Sequence, residues 1–369
     1  MLPFWVVWLT GYNLSMSTTS LTLTNFRSYT DQAIPLDPVV TLLVGPNATG
    51  KTNLLEALFV LATTKSFRAK DPELVHHGAE FYRLGATING TEVTLGYQTT
   101  ERGIQKRVRH DDTPRSLVDH LGTLRVVLFE PNDLMIIHGT PDRRRRYLDF
   151  ILTQTDKRYV KTLNQYRRVL YQRNRLLADW RGTTDELFAW DVSLADLASQ
   201  IDAHRRGVIK HINKLATARY ADIAGATESL QLTYRGVCDQ DYPTEFLKLL
   251  EANRARDIAA GFTTIGPHRD DFVIEFKGAP ITTVASRGEM RTVILALKTA
   301  ELAYIEQHTH TKPMLLLDDV FSELDDARRR YLLDSLGGYQ AVITTTNADV
   351  GDELGASHAT IHTRELQRV

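Results

Sequence analysis

Residues 41–53 read Thr-Leu-Leu-Val-Gly-Pro-Asn-Ala-Thr-Gly-Lys-Thr-Asn, and this stretch decides the fold. The apolar run 39–44 is typical of a buried strand, and four leucines in residues 54–61 recur at helical spacing. A strand, Gly-x-x-x-x-Gly-Lys-Thr and a helix in this order form the phosphate-binding P-loop pattern. The alternative is a chance glycine-rich turn.

Phosphate binding requires these residue types. Glycines let backbone N–H groups close around phosphate oxygens, and a helix N-terminus favours an anion. Lys51 is predicted to reach the β and γ phosphates of ATP, and the Thr52 hydroxyl to ligate Mg²⁺. The predicted nucleotide-binding residues of the loop are Gly45, Pro46, Asn47, Ala48, Thr49, Gly50, Lys51, Thr52 and Asn53.

A second apolar run ends in two carboxylates. Residues 312–320 read Lys-Pro-Met-Leu-Leu-Leu-Asp-Asp-Val, and a carboxylate at the end of a core strand is costly unless it faces a cation or ordered water. With this strand placed beside the P-loop strand, Asp318 is predicted to hold Mg²⁺ through water. Asp319 is predicted to orient or deprotonate the attacking water. The alternative is a capped strand end.

Residues 286–291, Ser-Arg-Gly-Glu-Met-Arg, precede a strong helical pattern over residues 292–301. Ser286 with Gly288 is an N-cap arrangement, so this helix also presents N–H groups and a dipole to an anion. Many helices begin this way, and the pattern becomes specific only together with the P-loop and the paired aspartates. Arg27, just upstream of the P-loop strand, is either a nucleotide contact or an exposed loop arginine.

The composition is that of an ordinary globular protein. Of 369 residues, 43% are hydrophobic and 24% charged, which is enough for a full core and for two domains. Because the formal net charge is -1, any contact with nucleic acid depends on local basic patches. The single cysteine, Cys238, excludes an internal disulfide and fits a cytoplasmic location.

The first residues differ from the rest of the chain. Residues 2–9, Leu-Pro-Phe-Trp-Val-Val-Trp-Leu, are apolar but too few to span a bilayer, and no charged segment precedes them as in a signal peptide. We therefore expect residues 1–16 to be a non-native or disordered extension, as a misplaced start codon would produce. Secretion is the alternative.

The middle of the chain is basic and helical. Residues 143–175 contain eleven basic residues against two aspartates. Mostly apolar residues, with Arg173, His204 and His211 among them, follow a 4-3-4-3 spacing in residues 159–180 and again in residues 187–215. A turn and a capping box are predicted at residues 182–186. The mean period of 3.5 predicts a short antiparallel coiled-coil arm. Its charged face is either a solvated surface or a DNA contact.

Two more segments are predicted as strands. Residues 82–88 and 92–98 alternate between apolar and polar side chains around Asn89-Gly90, which predicts a β-hairpin. Residues 125–129 are a further apolar run, followed by a polar loop. In a parallel α/β sheet, ligand contacts lie in such loops.

These motifs resemble the ABC-type ATPases of the SMC branch and, within it, the RecF family of bacterial recombination mediators. The resemblance covers nearly all residues after Met16. The segments that carry it are Asn25-Phe-Arg-Ser-Tyr29, Gly50-Lys-Thr-Asn-Leu-Leu-Glu-Ala57, Ser66-Phe-Arg68, Gly139-Thr-Pro141, Arg144-Arg-Arg-Tyr-Leu-Asp149, Gly266-Pro-His-Arg-Asp-Asp271 and Leu315-Leu-Leu-Asp-Asp-Val-Phe-Ser-Glu-Leu-Asp325.

The fold that the resemblance implies is α/β. It is an ABC/SMC-type P-loop ATPase head with an inserted helical domain that carries the short antiparallel coiled-coil arm. The head would comprise residues 17–140, with the P-loop, and residues 265–369, with the signature and the paired aspartates. The helical arm domain would comprise residues 141–264.

For the site, the resemblance implies that Ser286, Gly288 and Glu289 belong to a signature motif that contacts the γ-phosphate bound to the opposite protomer. Residues 322–325 would form the loop across the dimer interface. Thr346 falls where transporter ATPases carry a switch histidine, which leaves the γ-phosphate sensor open. The predicted catalytic residues are Lys51, Asp319 and Ser286.

Two positions depart from the family pattern. The P-loop has Ala48 where the family usually has glycine, so alanine must fit at a position that favours glycine. The loop after Phe129 carries Asn132 instead of the common glutamate, which weakens any metal-sensing role there.

The function that the resemblance implies is ATP-dependent dimerisation on double-stranded DNA near single-strand gaps, in recombinational gap repair and the SOS response. The implied partners are RecO, RecR and the recombinase RecA, with slow hydrolysis serving release and no membrane partner. One alternative is another SMC-branch member, such as an overcoming-lysogenization-type nuclease ATPase, which requires a carboxylate-rich nuclease domain. A transport nucleotide-binding subunit is the other, and it predicts a switch histidine at Thr346 and a permease partner.

Overall fold

The computed structural model describes residues 14–15, 17–101, 103–178, 180, 184–238, 241–347, 349–354 and 358–363. Of the predicted extension at residues 1–16, all but residues 14 and 15 lie outside the described residues. The first part of the turn predicted at residues 182–186 also lies outside them.

The strands are β1 (Leu14–Ser15), β2 (Thr18–Phe26), β3 (Tyr29–Pro35), β4 (Val40–Val44), β5 (Phe81–Ile88), β6 (Thr91–Thr100), β7 (Gly103–His110), β8 (Thr113–Arg115), β9 (Val126–Phe129), β10 (Leu230–Arg235), β11 (Asp271–Phe276), β12 (Ala279–Pro280), β13 (Thr311–Lys312), β14 (Met314–Asp318), β15 (Ala341–Thr345) and β16 (Ala359–His362). The α-helices are α1 (Lys51–Thr63), α2 (Leu117–His120), α3 (Met135–His138), α4 (Pro141–Thr155), α5 (Lys157–Ala178), α6 (Thr184–Ala224), α7 (Tyr242–Ala252), α8 (Arg254–Ala260), α9 (Ile281–Val284), α10 (Arg287–Thr309), α11 (Asp326–Ser335) and α12 (Val350–Leu354).

The chain forms two compact units. The first comprises Met1–Pro131 with Leu302–Val369, and the second comprises Asn132–Glu301. Residues 265–301 therefore lie in the same compact unit as the middle of the chain, although they were predicted to belong to the ATPase head. The predicted functional boundaries at residues 140 and 265 remain predictions.

A parallel sheet of five strands forms the centre of the first unit, in the order β16-β4-β15-β14-β9. All residues of β4 and β15 are buried, as expected for strands covered on both faces. The apolar runs that predicted β4, β9 and β14 are therefore confirmed as core strands. Helix α1 packs against β14 and β15, so the P-loop is held between core elements.

The same unit contains an antiparallel sheet of six strands, in the order β3-β2-β5-β6-β7-β8, and the short parallel pair β1-β13. The predicted hairpin is confirmed in β5 and β6. Asn89 and Gly90 both have positive φ, +51° and +80°, which is the requirement of a type I′ turn.

The long helices of the second unit, α5 and α6, run antiparallel. Thr162 lies opposite Gln200 and Arg173 opposite Asp191, with contacts of 3.1 and 2.6 Å. The antiparallel helical arm is thus confirmed, although α6 continues to Ala224 and is longer than its apolar pattern predicted. Among the described residues, no helix combines the length and the apolar character needed to cross a membrane.

The repeat position occupied by Arg173 lies in the interior of this unit. Its guanidinium is fully buried and donates to Asp191 at 2.6 Å, to Asp257 at 2.7 Å and to the Thr263 hydroxyl at 2.8 Å. A buried charge is tolerated only when it is paired and hydrogen-bonded. One of the eleven basic residues of the arm region is therefore structural.

Candidate nucleotide-binding site

The P-loop follows β4 and leads into α1. The side chain of Lys51 is buried, and its Nζ donates to Gly45 O at 2.6 Å and to Pro46 O at 2.8 Å. Burial lowers the pKa of Lys51, while Asp319 and Asp318 act to raise it. The backbone of the P-loop thus surrounds the amine of Lys51, and the charges of Asp318 and Asp319 act on this amine.

Two glycines of the loop have no room for a side chain. Gly50 has a φ of +88°, and a Cβ there would lie 2.7 Å from the Tyr29 hydroxyl. At Gly45, a Cβ would lie 2.0 Å from the Thr363 hydroxyl oxygen. These glycines are therefore packing requirements of the fold as well as part of the motif.

Ala48, which replaces the usual glycine, adopts a left-handed backbone with a φ of +66°. This conformation costs an L-residue with a Cβ about 1–2 kcal/mol. The alanine fits here only at the expense of backbone strain in the loop.

We expect Ala48→Gly to raise the free energy of unfolding by roughly 0.5–1 kcal/mol, because glycine adopts a positive φ without the steric cost but makes the unfolded chain more flexible. Urea denaturation followed by circular dichroism measures this change. The matched control is Ala57→Gly within α1, which should lower stability by about 1 kcal/mol or more. Equal destabilisation by both substitutions would contradict strain at Ala48.

Asp318, the last residue of β14, accepts two hydroxyl hydrogen bonds on one oxygen. Thr52 Oγ1 donates to Asp318 Oδ1 at 2.9 Å, and Thr344 Oγ1 donates to the same atom at 2.8 Å. The prediction that the strand of Asp318 lies beside the P-loop strand is wrong, because β15 lies between β4 and β14. The two predicted metal ligands, Thr52 and Asp318, nevertheless contact each other directly, and Thr344 on β15 donates to the same Asp318 oxygen.

Asp319 begins the turn after β14 in a left-handed conformation, with a φ of +50°. Its N–H donates to Thr344 Oγ1 at 3.0 Å, and its carbonyl accepts from the Ser322 hydroxyl at 2.7 Å. Burial raises the pKa of the Asp319 carboxyl, and Lys51 acts to lower it. The second predicted carboxylate is thus anchored through its backbone, in the field of the P-loop lysine.

Arg27 is bound by protein groups. Its Nε and Nη2 donate to the two carboxylate oxygens of Glu56, each at 2.8 Å, and Nη1 donates to Glu73 O at 2.8 Å. Arg68 Nη2 donates to Glu56 at 2.8 Å and to Asn53 Oδ1 at 2.6 Å. The interpretation of Arg27 as an exposed loop arginine is therefore wrong, and a direct nucleotide contact stays a prediction.

Glu56 lies at the centre of this network and is fully buried in α1. Burial alone would raise its pKa, but hydrogen bonds from Arg27, Arg68 and Ser66 hold the pKa below its usual value. The carboxylate therefore ties the segment around Arg27 and the segment 66–68 to the P-loop helix.

The predicted signature residues lie at the start of α10, in the second unit. Glu289 N donates to Ser286 Oγ at 3.2 Å, and Ser286 N donates to Glu289 Oε2 at 2.8 Å, which is a reciprocal capping box. Lys277 Nζ also donates to Glu289 at 2.8 Å. Hydrogen bonds from Lys277 and then from Ser286 lower the pKa of Glu289 to about 2.

The predicted N-cap at Ser286 is thus confirmed as a local structure. Ser286 is exposed, and its hydroxyl oxygen accepts the N–H of Glu289. Gly288 follows within the first turn of the helix. The arrangement can donate hydrogen bonds to an anion.

The remaining predicted residues lie at the edges of the site. Pro46, Asn47 and Thr346 are exposed, and Thr49 Oγ1 donates to Pro46 O at 2.9 Å. Thr346 directly follows β15. Its role as a sensor of the γ-phosphate has no structural counterpart beyond this position.

Three residues of the site were not predicted: Tyr29, Thr344 and Glu56. Thr344 stands in the apolar run 341–345, and a hydroxyl there indicated a polar neighbour at the strand end. Glu56 interrupts the apolar residues of α1, which was a comparable signal. The hydroxyl of Tyr29 faces Gly50 only because β3 and the P-loop come together in three dimensions, so the sequence carried no sign of it.

Comparison with known proteins gives a consistent result. The family model of the RecF/RecN/SMC N-terminal domain matches residues 17–364. The DNA replication and repair protein RecF of Chloroflexus aggregans is 40% identical over 362 residues, covering 89% of this chain and 92% of that protein.

Solved structures extend the comparison. The structure of the recombination mediator protein RecF with ATP, of the RecFOR pathway, has a TM-score of 0.87 and 32% identity, covering 96% of this chain and 98% of that one. The SMC head bound to the C-terminal winged-helix domain of ScpA has a TM-score of 0.52 at 16% identity, covering 94% of each chain, and shows a similar fold alone.

Proposed function

This chain belongs to the RecF family of DNA replication and repair proteins within the RecF/RecN/SMC ATPases, and from this membership we propose that it is an ATP-dependent DNA-binding protein of recombinational gap repair and the SOS response. The single observation that carries the ATP-dependent part is the contact of 2.9 Å between the P-loop Thr52 and Asp318. It joins two motifs that are 266 residues apart at one end of the parallel sheet.

ATP is the proposed substrate. The P-loop supplies backbone N–H groups and the Lys51 amine for the phosphates. In the proposed reaction, Asp319 orients or deprotonates the attacking water. Two observations support this role: Asp319 directly follows Asp318, and the charge of Lys51 acts on its carboxyl group.

Magnesium fits the oxygen atoms at the end of β14. The Thr52 hydroxyl and the Asp318 carboxylate are the hard oxygen donors that Mg²⁺ prefers, and they are close enough to share one cation, directly or through water. The ion would bridge and neutralise phosphate oxygens. Among the described residues, no group of three or more His, Cys, Asp or Glu side chains could hold a metal ion. In this proposal the phosphate oxygens of ATP supply further ligands to the ion.

We further propose that hydrolysis is slow and that ATP drives dimerisation. The support is the capping box of Ser286 and Glu289, which places an exposed serine at the N-terminus of α10. A helix N-terminus favours an anion such as the γ-phosphate of ATP. In the dimer, the signature residues of one protomer would contact the γ-phosphate on the P-loop of the other. Hydrolysis would then release the dimer.

The proposed partners are duplex DNA at single-strand junctions and proteins of the RecO, RecR and RecA types. They are inferred from the RecFOR pathway, to which a structural neighbour belongs. Because the proposed partner is bacterial DNA, the proposed location of the protein is the cytoplasm.

Sedimentation of the wild-type chain tests the proposal. With ATP and gapped duplex we expect a faster species of dimer mass carrying DNA, and without ATP a monomer. Intact duplex serves as the comparison substrate. A chain that stays monomeric with ATP and leaves DNA unbound under low salt would refute the proposed function.

A further inference from the structure

A pocket of about 230 Å³ lies within the second unit, between α4, α5 and the segment 266–268. Charged residues dominate its lining. It contains four arginines and two aspartates, and hence a formal excess of two positive charges: Arg145, Arg146, Arg167, Arg205, Asp142 and Asp149.

The inner wall of the pocket is already paired. Arg205 is 2% exposed and donates to Asp149 Oδ1 at 2.8 Å and to Pro267 O at 2.6 Å. Tyr159 donates to the same Asp149 oxygen at 2.5 Å. The guanidinium and carboxylate of this wall hold each other in place, so they shape the pocket without being available to a ligand.

The outer rim is different. The side chains of Arg146 and Arg167 are 68% and 51% exposed. Arg146 meets Asp142 at 2.7 Å within one helix turn, and Arg167 approaches Asp149 at only 3.5 Å. Exposed ion pairs of this kind are weak, so both guanidinium groups can turn to an anion that enters the pocket.

The floor carries no charge of its own at neutral pH. His268 Nε2 donates to Thr263 O at 3.0 Å, and in the neutral ring Nδ1 accepts from the Tyr166 hydroxyl at 2.6 Å. Burial lowers the pKa of His268 to about 4. The positive potential of the pocket therefore comes from its arginines.

We propose that this pocket binds a phosphate group of a nucleic acid strand, with Arg146 and Arg167 as its ligands. Guanidinium groups match phosphate oxygens in charge and in planar, bidentate geometry. Leu163 and Leu170 offer an apolar wall to the sugar.

A nucleic acid is favoured over an acidic peptide because basic side chains continue along the exposed faces of α4 and α5. These residues are Arg143, Arg158, Lys161 and Arg168. A row of this kind matches the repeated charge of a phosphate backbone. The proposal rests on the proposed function, since it names a DNA contact of the same protein.

The test is the salt dependence of binding to fluorescent gapped duplex, measured by anisotropy on the full chain with ATP. The double variant Arg146→Gln with Arg167→Gln should lower the slope of log affinity against log salt by about 1, because the one phosphate that both guanidinium groups hold would then keep its counterions. The matched control is Lys210→Gln with Lys214→Gln. It removes the same charge from exposed positions of α6, which belong neither to the pocket nor to the basic row, and its slope should stay close to that of the wild type.

The outcomes separate the two proposals. If the wild type binds DNA and the pocket variant keeps its slope, the pocket proposal is overturned while the proposed function stands. An equal decrease in both double variants would also overturn it, since general surface charge would then explain the binding. If the pocket variant loses binding to polyglutamate but keeps its binding to DNA, the pocket belongs to an acidic protein. If inorganic phosphate saturates the pocket of the wild type without changing its affinity for DNA, the pocket belongs to a free anion. Either result overturns the proposal.

Discussion

Asp319→Asn is expected to lower the ATP turnover of the dimer by roughly 100-fold or more, the range typical of losing a general base. Asparagine keeps the size of the side chain and tolerates the left-handed backbone that residue 319 requires. The backbone N–H of residue 319 still donates to Thr344, and its carbonyl still accepts from Ser322. Only the carboxylate that would accept a proton from water is removed.

The readouts are phosphate release in steady state and nucleotide affinity by fluorescent ATP titration. Affinity should change little, because the phosphates are held by the P-loop and Thr52. The matched control is Asp326→Asn, an exposed aspartate at the start of α11 that removes the same charge in the same segment. Turnover equal to the wild type in Asp319→Asn would exclude Asp319 as the base.

Ser286→Arg is expected to abolish ATP-induced dimers while the monomer still binds ATP. A hydrogen bond to a charged group contributes about 1.5–3 kcal/mol, and a two-fold dimer would contain two composite sites. The combined loss of about 3–6 kcal/mol weakens dimerisation by roughly 100-fold to 20,000-fold, before the bulk of arginine is counted. Multi-angle light scattering with and without ATP measures the change.

The substitution also removes a helix cap, so the control must separate the two effects. Ser116→Arg removes another capping serine, whose hydroxyl accepts from Asp119 N at 3.1 Å at the start of α2. This variant should lose a similar amount of local stability and still dimerise. Persistent dimers in Ser286→Arg would refute the composite site, and loss of dimers in both variants would point to general destabilisation.

Much of the fold and of the candidate site was predictable because the signals are local. The P-loop needs glycines, a lysine and a threonine at fixed spacing, and the apolar patterns on either side of residues 45–52 predict the strand before it and the helix after it. The Asn89-Gly90 hairpin and the capping box at Ser286 also follow from neighbours in the chain. Backbone conformation at such positions depends mainly on the residues themselves.

The order of the strands and the partners of the charged side chains were decided only by the tertiary structure. The chain does not state that β15 separates β4 from β14, that Arg27 is bound by Glu56, or that Arg173 is buried. These features depend on which distant segments share a low-dielectric interior, where an arginine must find a carboxylate. The motifs therefore determined the class of chemistry, and long-range packing determined which groups are free to perform it.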